Sequence, residues 1–408
     1  MSNRPWGYQP INERPEPDWN LNPQTEAVRA GLARSGFGET SEALYLTSGF
    51  TYSSAEEAES AFKDEVDHYL YGRFANPTIS MFEKRLAALE GADYCIATGS
   101  GMSAMFASVA CLVEKGDRVV ASASMFSSCH VVLTEFLPKW GATTELVKGN
   151  DRASWEAALS KPTKVVFIET PSNPLMDIVD IKMVSELAHK VGATVIVDNV
   201  MASPVYQKPL QLGADVVMYS TTKHIDGQGR VLGGAVLGGE KYILEQFQPF
   251  IRHTGPALSP FNAWVMLKSL ETMQMRVERM NSNAKAIAEF LETNGKIKAV
   301  RYPGLKSNPQ YQLAMQQMNG AGGTTIGIEF AGDKSAAFNF MNQLRVIDIS
   351  NNLGDSKSLI THPASTTHRR LAPEVQAEMG ITESTLRLSV GLEHMDDLVQ
   401  DLKQALAK

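Results

Sequence analysis

The residue with the clearest chemical potential is a lysine, Lys223, in the segment "MYSTTKHIDGQGRVLGGAV". It lies between a cluster of hydroxyl side chains and a run of glycines. The apolar residues before the cluster predict the end of a buried strand, so Lys223 is expected at the edge of a sheet. A lysine there serves as surface charge, as a phosphate ligand or, with a carbonyl partner, as a covalent nucleophile. Most lysines are solvated surface charges, so the residues around Lys223 must show which of these roles it has.

Two acidic residues end other predicted strands. Glu169 follows "KVVFI" and Asp198 follows "TVIV". Strands that alternate with helical patterns favour a mostly parallel sheet, and ligands bind beyond the carboxyl ends of such strands. Glu169, Asp198 and Ser220–Lys223 are therefore predicted on one rim. A lone Asp198 is more typical of a turn or helix N-cap, and a ligand's protonated ring nitrogen is the alternative partner.

A glycine turn in "IATGSGMSAM" predicts a place for a phosphate. Gly99, Ser100 and Gly101 lead into a helical run from Met102, and backbone N–H groups at a helix start attract anions. By itself this signal is weak, because glycine before a helix is often only a turn. The later "GQGRVLGG" is a weaker nucleotide motif, since Leu232 stands where the third glycine belongs.

Together these groups match the needs of one cofactor, pyridoxal 5'-phosphate (PLP). The hydroxyls and glycine N–H groups would bind its phosphate, Asp198 would keep its pyridine nitrogen protonated, and Lys223 would hold its aldehyde. No single element decides the matter, and the combination makes PLP the working hypothesis.

Two arginines are candidates for binding anions. Arg73 follows Tyr71 in "YLYGRFANPT", and a guanidinium near a phenol suits an oxyanion such as phosphate. A surface arginine beside a half-buried tyrosine is an equally good interpretation. Arg387 lies inside the apolar run "TLRLSVGLE", where an inward guanidinium needs an anionic partner such as a substrate carboxylate. An edge-strand arginine that faces water is the alternative.

No metal site is predicted from the histidines and cysteines. His362 and His368 are close in the sequence, but no cluster of Cys, His and acidic residues surrounds them. His224, beside the lysine, is expected to be structural. Cys129 either lies near the site or is a buried free thiol, which is the commoner outcome.

The composition bounds the class of protein. The chain has 408 residues, 43% hydrophobic and 20% charged, which is typical of a soluble protein of more than one domain. A net charge of -7 gives no electrostatic reason to expect nucleic acid or an anionic membrane as a partner. No apolar run reaches membrane-span length, and the start lacks a signal-peptide core. Three cysteines without CxxC spacing favour a reducing cytoplasm.

Changes of pattern divide the chain into three predicted parts. Residues 1–65 are polar and rich in proline at their start, which predicts an extended arm and a helix. Residues 66–260 carry the alternating strands and helices and form the predicted cofactor-binding domain. A long helical stretch after Pro260 leads into a smaller α/β unit, so 261–408 form the C-terminal domain. The proline-rich start is either a disordered tail or an arm on a partner subunit.

Six motifs occur in the order found in one enzyme family: "YGRFANPT", "GSGMSA", "ETPSNP", "VDN", "STTK" and "RLSVGLE". On these motifs the chain resembles the Cys/Met-metabolism, cystathionine γ-synthase-like family of PLP enzymes, from about Leu44 to its end. The resemblance implies the type I, aspartate aminotransferase-like fold of PLP-dependent transferases. That fold has a mostly parallel central sheet with helices on both faces and a smaller C-terminal α/β domain.

The resemblance also implies a role for each matched position. Lys223 and Asp198 would be the catalytic pair, bound to the aldehyde and the pyridine nitrogen. Arg387 would bind the carboxylate of an amino-acid substrate, with help around Ser358. Tyr71 and Arg73 would reach the phosphate in a neighbouring subunit, so that a dimer shares its active sites, within a tetramer in many members. The other implied cofactor contacts are Ser100, Gly101, Met102, Phe126, Ser220, Thr222 and Asn173, the last also approaching the substrate.

Two features depart from the common pattern of the family. Phe126 stands where most members place a tyrosine over the pyridine ring, and phenylalanine can stack but cannot transfer a proton. The lysine is followed by "HIDGQGRVLGG" instead of a "GHSD"-like sequence. Together with "RHTGPALSPFNAW", this version resembles the O-succinylhomoserine sulfhydrylase branch of the family, and a phenylalanine over the ring suits that branch.

That branch implies γ-replacement on O-succinyl-L-homoserine by sulfide, giving L-homocysteine and succinate in methionine biosynthesis. The alternatives are a cystathionine γ-synthase that uses cysteine, a methionine or cystathionine γ-lyase, and an acetyl leaving group. A non-catalytic metabolite-binding protein is the alternative from a different class. The intact set of Lys223, Asp198 and Arg387 argues against it, because a mere binder has little use for a Schiff-base lysine.

Overall fold

The first described segment ties the start of the chain to the larger of two sheets. A computed structural model describes residues 19–408. This segment holds helices α1 (Pro23–Arg29) and α2 (Ala55–Phe62). Ala27 of α1 is buried in the core beneath the larger sheet. The predicted arm, with most of its prolines, lies outside the described residues and stays a prediction.

The larger sheet is mostly parallel, as the sequence predicts. Its spatial strand order is β1-β7-β6-β5-β4-β2-β3, and β7 runs in the direction opposite to the other six strands. In register, Glu169 at the end of β4 lies beside Asp198 at the end of β5. The strands are β1 (Tyr94–Thr98), β2 (Arg118–Ser122), β3 (Thr143–Val147), β4 (Val165–Glu169), β5 (Thr194–Asp198), β6 (Val216–Tyr219) and β7 (Gly234–Gly238).

Helices cover both faces of this sheet. Two of them continue into π-helical turns, Val132–Phe136 and Ile243–Phe247, and 3-10 turns occur at Leu137–Trp140 and Pro209–Leu212. The helices are α3 (Pro77–Glu90), α4 (Gly101–Ala110), α5 (Ser127–Val131), α6 (Arg152–Ala158), α7 (Ile181–Lys190), α8 (Ser203–Tyr206), α9 (Glu240–Tyr242) and α10 (Gln248–Thr254).

Alternating side chains of each central strand enter different cores. Ile196 of β5 packs with α4 and α5, whereas Val195 and Val197 pack with α6 and α7 on the other face. A strand buried on both faces needs apolar residues at every position. This explains the continuous apolar runs from which the strands were predicted.

A smaller sheet follows a pair of helices, α11 (Pro260–Leu270) and α12 (Met273–Glu292). Its order is β10-β11-β12-β9-β8, and its strands pair antiparallel except for β10 with β11. The strands are β8 (Ile297–Arg301), β9 (Thr325–Phe330), β10 (Asp348–Ile349), β11 (Leu359–Thr361) and β12 (Thr385–Ser389). The helices are α13 (Tyr311–Gln317), α14 (Lys334–Gln343), α15 (Pro373–Glu378) and α16 (Met395–Leu406), with a 3-10 turn at Pro363–Ser365.

The larger core extends past residue 260. Ala263, Met266 and Leu267 of α11 are buried in the same core as α3, and the boundary placed near 260 remains a prediction. The helical stretch after Pro260 consists of two helices, because the helix is interrupted between Leu270 and Met273. No helix within residues 19–408 is long and apolar enough to cross a membrane.

A buried cluster of charges joins the N-terminal segment to α3 and α11. Arg85 of α3 is fully buried, donates to the Ala30 carbonyl at 2.9 Å, and pairs with Glu42 at 2.5 Å. Lys268 of α11 lies 2.9 Å from the other Glu42 oxygen. Burial disfavours the charge on Glu42, but Lys268 and Arg85 outweigh it and hold the Glu42 pKa below its usual value.

Removing Glu42 should destabilise the fold strongly. In Glu42→Ala the buried Arg85 guanidinium loses its 2.5 Å partner and keeps only Glu271 at 3.7 Å, which should cost roughly 3 kcal/mol. Chemical denaturation of the cofactor-free protein measures this loss. Glu156→Ala is the control, because Glu156 pairs with Arg152 where both side chains are at least half exposed. Equal stability of the two variants would contradict the importance of the cluster.

Candidate active site

The glycine turn before α4 faces the end of β6. The Ser100 hydroxyl accepts the Ser103 N–H and caps the helix, which begins at Gly101. A Cβ on Gly101 would lie 2.4 Å from the Ser220 Cβ, so only glycine allows this approach. The N–H groups of Gly101 and Met102 have no partner within the helix and lie at its positive end. Together with Ser220, they suit a phosphate.

The residues after β6 form a tight turn that fixes Lys223. The Thr222 hydroxyl accepts the Gly233 N–H at 3.1 Å, and the Lys223 carbonyl accepts the Gly227 N–H at 2.7 Å. The Asp226 carboxylate then accepts the Arg230 N–H and Nε–H at 2.7 and 2.9 Å. The "GQGR" segment is therefore a turn closed by its own ion pair, which agrees with its weak match to a nucleotide motif.

The Lys223 amine contacts Asn352 of the smaller sheet unit. Its Nζ donates to the Asn352 Oδ1 at 2.6 Å. Burial, with the nearby charge of Arg387, lowers the Lys223 pKa to about 8. A fraction of the amine is therefore neutral near physiological pH, as a nucleophile or a base requires.

Asp198 and Glu169 form a buried carboxyl pair. Asp198 accepts the Val200 N–H at 3.0 Å, so the turn interpretation is correct for one of its oxygens. Burial raises the Asp198 pKa to about 7, and burial with the Asp198 charge raises the Glu169 pKa further above its usual value. An ionised Asp198 at neutral pH therefore needs a cation, which the protonated pyridine nitrogen of the cofactor would supply.

Arg387 lies on β12 between β11 and β9 and is 2% exposed, so the edge-strand alternative is wrong. Its Nη1 donates to the Asn173 Oδ1 at 3.0 Å, and its Nη2 donates to the carbonyls of Asn351 and Asn352 at 2.8 and 3.0 Å. Burial lowers the Arg387 pKa to about 10, so the group stays charged at neutral pH. Its buried Nε has no partner within residues 19–408, which suits a carboxylate ligand.

Tyr71 and Arg73 lie together at the surface. Tyr71 is 42% exposed, and the Arg73 guanidinium lies 5.3 Å from the centre of its ring. Arg73 also donates to the Arg252 carbonyl, and the Pro256 carbonyl accepts the Gly99 N–H at 2.8 Å. The segment 252–256 thus lies between this pair and the glycine turn. Their phosphate contact in a neighbouring subunit stays a prediction.

Ser358 makes its hydrogen bonds to residues other than Arg387. It precedes β11, where Thr361, three residues later, is the register partner of Arg387. Its hydroxyl donates to Glu393 at 2.8 Å and accepts the Gly391 N–H at 2.9 Å. Its substrate contact stays a prediction, but nothing in these contacts supports it.

Asn352 is the site residue that the sequence interpretation missed. Its side chain contacts Lys223 and its carbonyl contacts Arg387, so one loop residue connects both groups. An asparagine between polar and glycine residues is typical of any loop. The only available signal was its place in "NNLGD", just after the strand-like run that becomes β10.

The remaining candidates are structural. His224 bonds to the Val200 carbonyl at 3.1 Å and the Thr324 hydroxyl at 2.7 Å, as expected of a structural histidine. Cys129 is buried and free, and burial with the charges of the carboxyl pair raises its pKa, so it is an unreactive thiol near the site. Within residues 19–408, no three His, Cys, Asp or Glu side chains are placed to hold a metal ion.

The arrangement defines the site of a PLP-dependent enzyme. A lysine of lowered pKa, a buried carboxyl that lacks a cation, a phosphate cradle and a buried unpartnered guanidinium lie at one edge of the sheet. These are the groups that the cofactor and an amino-acid substrate need. Asn173 and Phe126 follow β4 and β2 at the same edge, where the predicted ring contacts belong.

Comparisons with known proteins establish the family. Residues 24–407 match the sequence model of the Cys/Met metabolism PLP-dependent enzymes. An O-succinylhomoserine sulfhydrylase of Mycobacterium tuberculosis (strain ATCC 25618 / H37Rv) is 54% identical, over 94% of this chain and 95% of that protein. An O-succinylhomoserine sulfhydrylase of Pseudomonas aeruginosa is 45% identical, over 94% of each chain.

A solved structure agrees in fold. The cystathionine gamma synthase of Xanthomonas oryzae pv. oryzae, in complex with aminoacrylate and cysteine, has a TM-score of 0.91 and 34% identity, covering 95% of this chain and 98% of that one. The chain belongs to the Cys/Met metabolism family of PLP-dependent enzymes. The predicted family, type I fold, enzyme class and cofactor are thereby confirmed.

The carboxyl pair should make stability depend on pH in the cofactor-free protein. Below its unfolded pKa of 3.8, Asp198 is protonated in both states. From there to about 7 the unfolded state releases the proton while the folded state keeps it, so stability falls as pH rises, and the penalty is constant above. Thermal midpoints from pH 4 to 7 should therefore fall more steeply for the wild type than for Asp198→Asn. Parallel curves would contradict this assignment.

Asn352 should matter for turnover through its side chain. In Asn352→Ala the Lys223 amine loses its acceptor, and kcat should fall about tenfold, the effect of one hydrogen bond to a charged group. The KM of the amino-acid substrate should change less, because Arg387 keeps its backbone contacts. Asn351→Ala is the matched control, since Asn351 gives Arg387 only its carbonyl. Equal losses in both variants would show that the loop matters only as a whole.

Proposed function

We propose that the chain catalyses γ-replacement on O-succinyl-L-homoserine by sulfide, which yields L-homocysteine and succinate. The 54% identity to a protein named O-succinylhomoserine sulfhydrylase, over 94% of this chain, carries the proposal. The "DGQGR" turn after Lys223 and Phe126 in place of the usual tyrosine support it. We place the reaction in methionine biosynthesis in the cytoplasm.

Binding and orientation of the substrate follow from Arg387. Its Nε is buried and unpartnered within the described chain, so a substrate α-carboxylate would gain a charge-assisted bond there. The loop carbonyls of Asn351 and Asn352 hold the same guanidinium, and Asn352 also holds the Lys223 amine. This shared loop fixes the base relative to the substrate's α-carbon.

Lys223 performs the proton transfers. PLP, when bound, supplies an electron-withdrawing ring that acidifies the carbon next to the amino group of the substrate. The neutral Lys223 amine removes the α-proton and must release that proton before it removes a β-proton; succinate then leaves from the γ-carbon. Sulfide adds at that carbon, and Lys223 returns the protons. Phe126 cannot share this work, because it has no ionisable group.

The active site is proposed to be completed across a dimer interface. Tyr71 is 42% exposed and lies with Arg73 at the surface, in a position to bind an anion of another subunit. The exposed phenol and guanidinium suit the phosphate of that subunit's cofactor. We therefore propose a homo-oligomer with sites shared across a dimer, assembled into a tetramer.

Product analysis tests the reaction. The PLP-loaded enzyme receives O-succinylhomoserine with equal sulfide and cysteine, and mass spectrometry identifies the products. We expect homocysteine and little cystathionine, and no turnover by Lys223→Ala because the base is absent. Mostly cystathionine would instead show a γ-synthase, which the likeness to the cystathionine gamma synthase structure makes the second candidate. Oxobutyrate with either nucleophile would show a γ-lyase.

A further inference from the structure

Glu169 contacts both residues that are expected to hold the cofactor ring. Its Oε2 accepts the Phe126 N–H at 2.7 Å, and its Oε1 accepts the Asn173 N–H at 2.6 Å. Phe126 follows β2 and Asn173 follows β4, so the two are separate in the chain. The Glu169 side chain is therefore the bridge that connects the two loops.

This bridge needs a carboxyl group of this length. Each oxygen of a carboxyl group, ionised or protonated, can accept a hydrogen bond, whereas an amide has one acceptor oxygen and an NH₂ that only donates. Glutamine would satisfy one backbone N–H and place its own NH₂ against the other. Aspartate keeps both acceptors but is one methylene shorter and cannot reach both loops.

Burial makes the bridge rigid. Glu169 is 2% exposed and Asn173 is 4% exposed, so water does not compete for these bonds. Asn173 also accepts from Arg387 at 3.0 Å, so its position bears on the substrate arginine too. Both Glu169 oxygens are occupied by backbone donors, which leaves the group unsuited to act as a general acid or base.

We propose that Glu169 is a positioning residue that clamps the loops of Phe126 and Asn173 in place before the cofactor binds. The inference rests on the proposed ring contacts of these two residues. It predicts that the clamp exists in the cofactor-free protein and that its loss weakens cofactor binding. Glu169 itself need not touch the cofactor or the substrate.

Glu169→Gln and a matched control test the clamp. Asp401→Asn is the control, because Asp401 is a 3% exposed carboxylate that accepts three backbone N–H groups of residues 345–347, none of which is a site residue. Amide exchange in the cofactor-free protein is followed in peptides that contain Phe126 or Asn173. The dissociation constant for pyridoxal phosphate is measured by titration.

In Glu169→Gln, amide exchange should speed up at both loops, and the dissociation constant should rise about tenfold or more, as expected when a buried donor is left unpaired. Asp401→Asn should change neither, although it lowers thermal stability. The kcat should fall, whereas the KM for the amino acid should change little, because Arg387 keeps its hydrogen bonds to the loop carbonyls. Wild-type affinity and protection in Glu169→Gln, or the same losses in Asp401→Asn, would overturn the proposal.

Glu169→Asp provides a second test that keeps the carboxyl group. It should loosen the same two loops and weaken cofactor binding, since the clamp depends on reach. Full retention of both properties would also overturn the proposal. These measurements do not involve the second substrate. A finding that the enzyme uses cysteine instead of sulfide would therefore refute the proposed function and leave the clamp untouched.

Discussion

Two carboxyl groups, Glu169 and Asp198, are buried side by side where β4 and β5 end. The rest of the site supplies the hydrogen-bond donors and positive charge that these two groups require. Adjacent strands are only about 4.8 Å apart, so both charges cannot persist without partners. The backbone N–H groups of two loops serve Glu169, and Arg387 lies close enough to favour its charge. Asp198 has one backbone donor and is left to pair with a cationic ligand.

The smaller sheet contributes the positive side of this balance. Arg387 is placed on a central strand, where neighbouring β11 and β9 exclude water, and the loop at residues 351–352 accepts its hydrogen bonds. The same charge helps to lower the pKa of Lys223. A base near neutrality, a carboxylate binder and a buried acid are thus consequences of one arrangement of charges.

Much of this arrangement is predictable from local sequence. Apolar runs that end in Asp198 or in the hydroxyls before Lys223 predict both the strand and the rim, because strands buried on both faces have no polar interior. Strands β1, β3 and β8, which lie at sheet edges, and the short interior strand β11 were missed. In β3, "TTELV" alternates polar and apolar residues and carries no continuous apolar signal.

The missing site residue has a similar cause. The resemblance directed attention to Ser358, whereas the fold brings Asn352 to the lysine. The pairing of β12 with β11 positions that loop, and pairing between distant segments is invisible to local pattern. The Glu169 clamp is hidden for the same reason, since it joins loops that lie more than forty residues apart.

The contacts Lys223–Asn352, Arg387–Asn173 and His224–Thr324 all cross from the larger sheet unit to the smaller one. Groups of the active site therefore also hold the two sheet units together. A hinge motion that moved the two sheet units apart would separate the Lys223 amine from Asn352 and, at the same time, the Arg387 guanidinium from Asn173. A ligand that binds between the two sheet units should in turn hold them together. The association of the two units and the correct placement of the active-site groups are therefore thermodynamically linked.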